Sequence, residues 1–342
     1  MSSEQDLLVE TVRDILAAHE PMPLTPGRRW DGALWMDLVG AGLTGVGLPE
    51  EAGGSGGDLA DAVTVVRTLA AGGGAVPAAE QLLVAGPALL ESGLGLPPVA
   101  EPLTVAVTSS LRVSQGNGGW VVSGSADGVA WAGVAHWLAV SATRPDGDVL
   151  ALVDVSGADV GDAANLAGEP RGRYELDAAP AQVGPLPPDL PARYALARAV
   201  QLSAVAETVL AWTVQHAGER HQFGRPLAKF QAIQMQLAEM AGEVSAVSAL
   251  ADAAVRRLER GEPIALAAAA AKVRAGEAVD VVASLAHQVH GAVGFTQEHR
   301  LHHLTTRMWS WRDEAGSELG WARSLGAAVA GEDYWAQLTA VV

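Results

Sequence analysis

The chain has 342 residues, 49% of them apolar, with 39 Asp and Glu against 22 Lys and Arg for a formal charge of −17, and it contains no cysteine. That length predicts two or three domains, and the acidic balance disfavours nucleic acid or an anionic membrane surface as partner. The missing thiols exclude disulfides, thiolate metal sites and a cysteine nucleophile.

The start, MSSEQDLLVETVRDIL, is acidic and amphipathic, without the basic and apolar regions of a secretion signal. The alanine-rich runs near 264–271 and 326–330 are too short to span a bilayer, so a soluble cytoplasmic protein is expected. From Gln5 to Ala18, apolar residues at Leu7, Leu8, Val12, Ile15 and Leu16 keep helical spacing, and 31–42 repeats the pattern. Four glycines at 53, 54, 56 and 57 follow no Rossmann-type strand and lack GxGxxG spacing, which predicts a flexible connection. Asp58 or Asp61 suits the cap of the next helix, and 78–93 is again helical.

Between 104 and 184 short β-prone runs (TVAVTSSL, GWVVSG, HWLAVSAT, VLALVDV, RYELDAA) alternate with Gly, Asn and Asp turns. The segment 183–191, VGPLPPDLP, with four prolines, predicts a stiff linker. Helices then resume over 195–221. After a break, Ile233, Leu237, Met240, Val244, Val247, Leu250 and Ala254 keep steps of three and four. Gly261 and Pro263 end that helix, and an alanine-rich one runs to Gly291, which is placed to stop it in left-handed geometry. The predicted fold is multidomain α+β. It comprises an N-terminal helical domain (1–103), a small middle antiparallel β domain (104–184) and a C-terminal antiparallel four-helix bundle (192–342).

Two stretches carry chemistry. In RHQFGRPLAKFQ (Arg220 to Gln231), Gly224 and Pro226 break the helix, and Pro226 suits the first turn of the next. Arg220, Gln222 and Phe223 then form either an anion or cofactor edge, or a helix hairpin with Phe223 in the core and Arg220 solvated. In QVHGAVGFTQEH, Gly291 and Gly294 allow close approach of backbone to a ligand beside the Gln288 amide. His287, His290, His299, His302 and His303 have helical spacing without a completing carboxylate, which favours surface or interface histidines over a metal site. Trp309, Trp311, Trp321 and Trp335 favour helix packing or a subunit interface.

Together, in this order, the two stretches resemble the acyl-CoA dehydrogenase family pattern R-x-Q-F-G-x-P-[IL]-x-x-F-Q followed by Q-x-x-G-G-x-G-[FY]-T, with Ala292 replacing the second glycine of the latter. GLTGVGLPEEAGGSGG near the N-terminus resembles a further family stretch. The resemblance implies the helical, β, helical order and an FAD shared between subunits. It implies FAD contacts at Arg220, Gln222, Phe223, Gln231, Gln288, Gly291, Ala292 and Ser317. It also implies an acyl-CoA substrate oxidised to the 2,3-enoyl-CoA, assembly with a like or unlike homologous subunit, and an electron-transfer flavoprotein as acceptor. The chain resembles shorter, divergent members of actinobacterial pathways, some of which pair two unlike subunits and oxidise bulky acyl-CoA thioesters such as steroid side-chain derivatives.

The departures concern the flavin ring and the base. The family's T-E-P-x-x-G-S-D stretch is absent near TVAVTSSLRVSQ, and Gly128 and Ala130 stand where an aromatic and a hydroxyl belong. The family base is a Glu immediately before Gly-Thr. Here Glu314 precedes Ala315, Gly316 and Ser317, a one-residue slip that turns a helical side chain by about 100°. Glu314 is the catalytic candidate, against a reading of Asp313 and Glu314 as solvated charges at a helix start. The family's other base position falls near Tyr194, with no carboxylate adjacent. Rival expectations are a flavin oxidase or monooxygenase on the same fold, and a non-catalytic partner of an active homologue.

Overall fold

The computed structural model describes residues 3–19, 30–161, 163–296 and 299–330. It divides into two compact units, Met1–Leu69 with Gly74–Ala197, and Ala70–Gly73 with Arg198–Val342. None of its described helices is long and apolar enough to cross a membrane.

The first unit opens with α1 (Ser3–Ala17), α2 (Gly32–Gly40) and α3 (Leu59–Ala71). Asp31 caps α2 by accepting from the Leu34 amide at 2.9 Å. Asp58 and Asp61 exchange bonds, each accepting from the other's amide, so both acids close the first turn of α3. The glycine run before them is a hydrogen-bonded loop instead of the expected flexible connection. Gly47 donates to the Gly56 carbonyl, Gly56 to that of Leu48 and Ser55 to that of Gly45. A Cβ on Gly54 would lie 2.2 Å from the Leu48 carbonyl oxygen, so the backbone there approaches closer than any other residue permits. A π-helical segment, Glu80–Ala85, leads into α4 (Gly86–Glu91). Within it the buried Gln81 amide donates to the Thr44 and Val99 carbonyls and accepts from the Leu103 amide, tying three chain segments together.

Seven strands follow, β1 (Leu103–Ala106), β2 (Arg112–Gly116), β3 (Gly119–Ala130), β4 (Trp137–Arg144), β5 (Gly147–Asp154), β6 (Ala163–Ala164) and β7 (Pro170–Pro185). The sheet runs β1-β4-β2-β3-β7-β5, and β5 pairs back onto β4, so the ladder closes on itself. It is mixed, a correction to the antiparallel expectation. β1 pairs parallel with β4 from Leu103↔Trp137 to Ala106↔Val140, and Arg112 of β2 meets Thr143 of the same strand. The chain reaches β4 only after the β2–β3 hairpin, so strands from before and after that excursion lie in the same sense. Alternate residues Leu138, Val140 and Ala142, and Val149, Ala151 and Val153, fill the enclosed core with Tyr174. The proline-rich segment is not simply a linker, since Val183 to Pro185 pair with Val149 to Ala151 of β5.

Helix α5 (Leu190–Glu219) starts in the first unit and continues through the second, with Pro191 in its first turn. The second unit holds a small hairpin, β8 (His221–Gln222) and β9 (Arg225–Pro226), then α6 (Gln231–Glu259), α7 (Ala265–His290), α8 (Leu301–Asp313) and α9 (Glu318–Val329). Its core joins Val205 and Val209 of α5, Met240 and Val244 of α6, the alanines of α7, and Leu304, Met308 and Trp311 of α8. The alanine stripe of α7 allows the close packing its composition implies.

Replacing Gly54 by Ala is expected to cost about 2–3 kcal/mol through forced displacement of the Leu48 backbone, read as a lowered urea midpoint at unchanged slope.

Candidate functional site

The RHQFG stretch forms the small hairpin. His221 pairs with Pro226 and Gln222 with Arg225, leaving Phe223 and Gly224 as a two-residue loop. Both loop residues have positive φ, 51° and 80°, the requirement of a type I′ turn. Glycine meets that requirement freely, whereas a bulky L-residue is held there at a cost of roughly 1–3 kcal/mol. Phe223 is nonetheless 91% exposed, which rules out the core reading of this residue. Its ring meets Phe230 edge-on at 6.2 Å, and the Arg225 guanidinium lies 4.1 Å over the Phe230 ring. The Leu227 amide donates to the Arg220 carbonyl at 2.8 Å and closes the hairpin base. Pro226 leads into a 3-10 turn, Leu227–Lys229, and α6 begins only at the exposed Gln231.

The second stretch ends α7. Gly291 has φ 65° and ψ −149°, outside the left-handed helical region expected for it and open to glycine alone. The turn Gly291–Phe295 follows, with Ala292 and Gln288 exposed and Gly294 buried. A Cβ on Gly294 would lie 2.9 Å from that of His290, so helix packing sets that glycine. Gln297 and Glu298 lie outside the described residues.

Stacking of His216 on His290, at 4.4 Å between ring centroids, brings the last turn of α5 against the last turn of α7. The hairpin grows from the first and the Gln288–Ala292 stretch from the second, so the two motifs share one end of the helical unit. The side chains of Arg220, Gln222 and Gln288 are exposed there and make no hydrogen bond or ion pair within the described residues. Strained, exposed Phe223 stands among them.

Four of these five histidines are not surface residues, and His299 is half-buried. His287, His290, His302 and His303 are all buried. His287 lies between Phe295 at 4.3 Å and Trp309 at 5.9 Å, and its Nε2 bonds the Thr305 hydroxyl at 2.9 Å. The His290 Nδ1 sits 2.8 Å from the Ala286 carbonyl. Desolvation holds His216, His287 and His299 below the ordinary imidazole range, and burial pushes His290 down to about 4. Among the tryptophans, Trp311 is buried in the helical core and Trp309 packs on it. Trp335 lies outside the described residues.

Glu314 lies at the opposite end of α8. The helix has 13 residues, roughly 20 Å at about 1.5 Å each, and its N-terminus faces the end of α7. Asp313 ends α8 and Glu314 caps it, so neither starts a helix, a correction to the solvated-start reading. Asp313 is exposed and pairs with Arg312 at 3.1 Å. The Glu314 carboxylate is only 17% exposed and lies 2.9 Å from the guanidinium of Arg198, itself 1% exposed. Ser317 caps α9, its hydroxyl accepting from the Gly320 amide at 3.2 Å. The structure therefore groups seven of the expected cofactor residues at one end, and sets Ser317 beside Glu314 at the other.

Sequence reasoning missed Arg198 and Lys272 beside Glu314. Lys272 is fully buried, and burial followed by the Arg198 charge pushes its ammonium down to about 8, against Asp313, Glu314 and Glu318. The signal was present, since Lys272 falls on the buried stripe of Ala268, Ala275 and Val279 at steps of four, three and four. In the first unit, Gly128 is exposed and Ala130 buried, and neither offers a ring or a hydroxyl.

Residues 193–318 match the model of the acyl-CoA dehydrogenase C-terminal domain, and 2–94 that of the acyl-CoA dehydrogenase N-terminal domain. The chain is 30% identical over 310 residues to acyl-CoA dehydrogenase IpdE2 of Mycobacterium tuberculosis, covering 87% of this chain and 89% of that protein. It superposes on a chain of the ChsE4-ChsE5 complex of the same organism with TM-score 0.86 at 26% identity, covering 97% and 98% of the two chains. A chain of the Tcur3481-Tcur3483 steroid ACAD gives TM-score 0.85 at 30% identity, covering 98% and 99%.

Because the folded His290 binds its proton less readily than the unfolded one, its stabilising effect is full above pH about 6.5 and is lost as the pH falls towards 4. A loss on the order of 3 kcal/mol across that window is expected from this residue alone. Urea midpoints from pH 7 to 4 measure it, and His290→Gln should flatten the dependence.

Proposed function

This chain belongs to the acyl-CoA dehydrogenase family of oxidoreductases acting on CH–CH bonds, and on that footing we propose that it is one subunit of an FAD-dependent enzyme that oxidises an acyl-CoA thioester to the 2,3-enoyl-CoA with an unlike homologous subunit. The observation carrying this reading is the set of polar side chains without a partner among the described residues, together with the strained, exposed Phe223, gathered where α5 and α7 end. Such a surface is unstable for its own sake and fits a planar, anionic ligand with an aromatic head. The ChsE4-ChsE5 complex and the steroid ACAD support an unlike partner and a steroid side-chain acyl group as substrate class.

FAD, when bound, would supply the hydride acceptor for the substrate β-carbon. This chain's Arg220 presents a planar fork suited to phosphate oxygens. Gln222, Gln231 and Gln288 offer amides, Phe223 a face for the adenine, and Gly291 and Ala292 an open backbone. Ser317 is included in the cofactor set with its hydroxyl in service as a helix cap. Glu314 is the carboxylate this chain offers to the substrate Cα proton, and an electron-transfer flavoprotein is the proposed acceptor. The ion pair from Arg198 favours a second reading, in which Glu314 balances a buried charge and this chain is the non-catalytic partner of an active homologue.

Arg220→Ala in the co-expressed complex is expected to weaken flavin retention by about 1.5–3 kcal/mol, the worth of charged hydrogen bonds, measured by flavin fluorescence after dialysis. Unchanged retention would remove this end from the cofactor site. Glu314→Gln separates the two readings: turnover of the flavin-loaded complex falls at least about a thousandfold if Glu314 takes the proton, and holds if it only balances charge.

A further inference from the structure

The turn between α8 and α9 is held from three sides. The Lys272 ammonium, rising from α7, donates to the Arg312 carbonyl at 2.5 Å and to that of Gly316 at 2.9 Å. The Trp321 indole, from α9, donates to the carbonyl between them, Ala315, at 2.8 Å. Arg198, from α5, grips the Glu314 side chain at 2.9 Å while its other amino group donates to Gln201. Within the turn, Ala315 and Gly316 both have positive φ, 55° and 91°. A Cβ on Gly316 would meet the Trp321 nitrogen at 2.5 Å, so the indole presses directly on the backbone.

A helix end leaves carbonyls without partners, and a neutral cap or water usually serves them. A fully buried lysine close to a fully buried arginine is an expensive substitute, because two like charges are desolvated together. Its distinctive effect is to fix where the main chain of residues 312–316 lies, and with it the one carboxylate pointing back at the pair. We infer that Lys272 is a positioning residue: it holds the α8–α9 turn so that Glu314 keeps one fixed place, with Trp321 as a second, weaker clamp. The inference rests on the reading that Glu314 takes part in the reaction. The charged groups facing the Lys272 ammonium are Arg198 from α5, Asp313 and Glu314 from the end of α8, and Glu318 from α9.

The test uses the full chain co-expressed with its homologous partner, assayed with butyryl-CoA, octanoyl-CoA and a cholanoyl-CoA thioester and an artificial electron acceptor. Lys272→Met should lower kcat about a hundredfold, as misplacement of a reacting group does, with KM and flavin content nearly unchanged. Trp321→Phe, a milder change, should lower kcat roughly tenfold on the same grounds, and carries the test alone if the lysine variant fails to fold. Wild-type kcat should fall as the pH rises through about 8, where the ammonium is lost, and that limb should be missing in the methionine variant. A purely structural lysine would lower stability without moving this profile. Full kcat in both variants, with Glu314→Gln inactive, overturns the inference and spares the Glu314 reading. Full kcat in Glu314→Gln overturns both.

Discussion

Long helices end with four carbonyls and four amides that have no partner inside the helix, and the helical unit of this chain is organised by how those ends are met. At one end, α5 runs into a two-residue hairpin and α7 into a glycine with φ 65°, ψ −149°. At the other, the Arg312 carbonyl of α8 and the Gly316 carbonyl of the following turn accept from a buried ammonium. Between them the core is mostly alanine, valine and leucine, with Met240, Met308 and Trp311. The groups of both candidate sites therefore gather around these helix ends, with Arg198 and Lys272 reaching one of them from within α5 and α7.

The two ends differ in character. The α5/α7 end is open: Phe223 is displayed to solvent at an unfavourable φ, and exposed amides and an arginine have no side-chain partner among the described residues. Energy is stored there that a ligand or a second chain would recover. The α8/α9 end is closed, with buried Lys272 and Arg198 drawn against the half-buried Glu314 into one group whose charges depend on each other. Removing one member of such a group strands the others, whereas replacing an exposed residue at the open end leaves the fold alone.

Much of this was legible in the sequence because it depended on local chemistry. Helical spacing marked α1, α2, α6 and α7, and the RHQFG and QVHGAVGF stretches marked the open end by their glycines, arginine and amides. The mixed sheet was not legible, since alternation of apolar residues reports which face is buried but not the sense of a neighbour several strands away. The glycine-rich loop misled for a similar reason: Gly54 is dictated by the Leu48 carbonyl 2.2 Å from its missing Cβ, a contact no local pattern encodes. The histidines misled because spacing alone does not distinguish a solvated face from one covered by Phe295 and Trp309.

The sequence by itself determined the order of helical, β and helical segments, and the break that the RHQFG stretch makes between two helices, because periodicity and turn chemistry act over a few residues. Only the tertiary structure decided that α5 and α7 bring those motifs to one end, that Phe223 is exposed, and that Glu314 meets Arg198 across more than a hundred positions of chain. Those facts arise from packing of helices distant in sequence, where desolvation and charge pairing are set by neighbours the local pattern does not name.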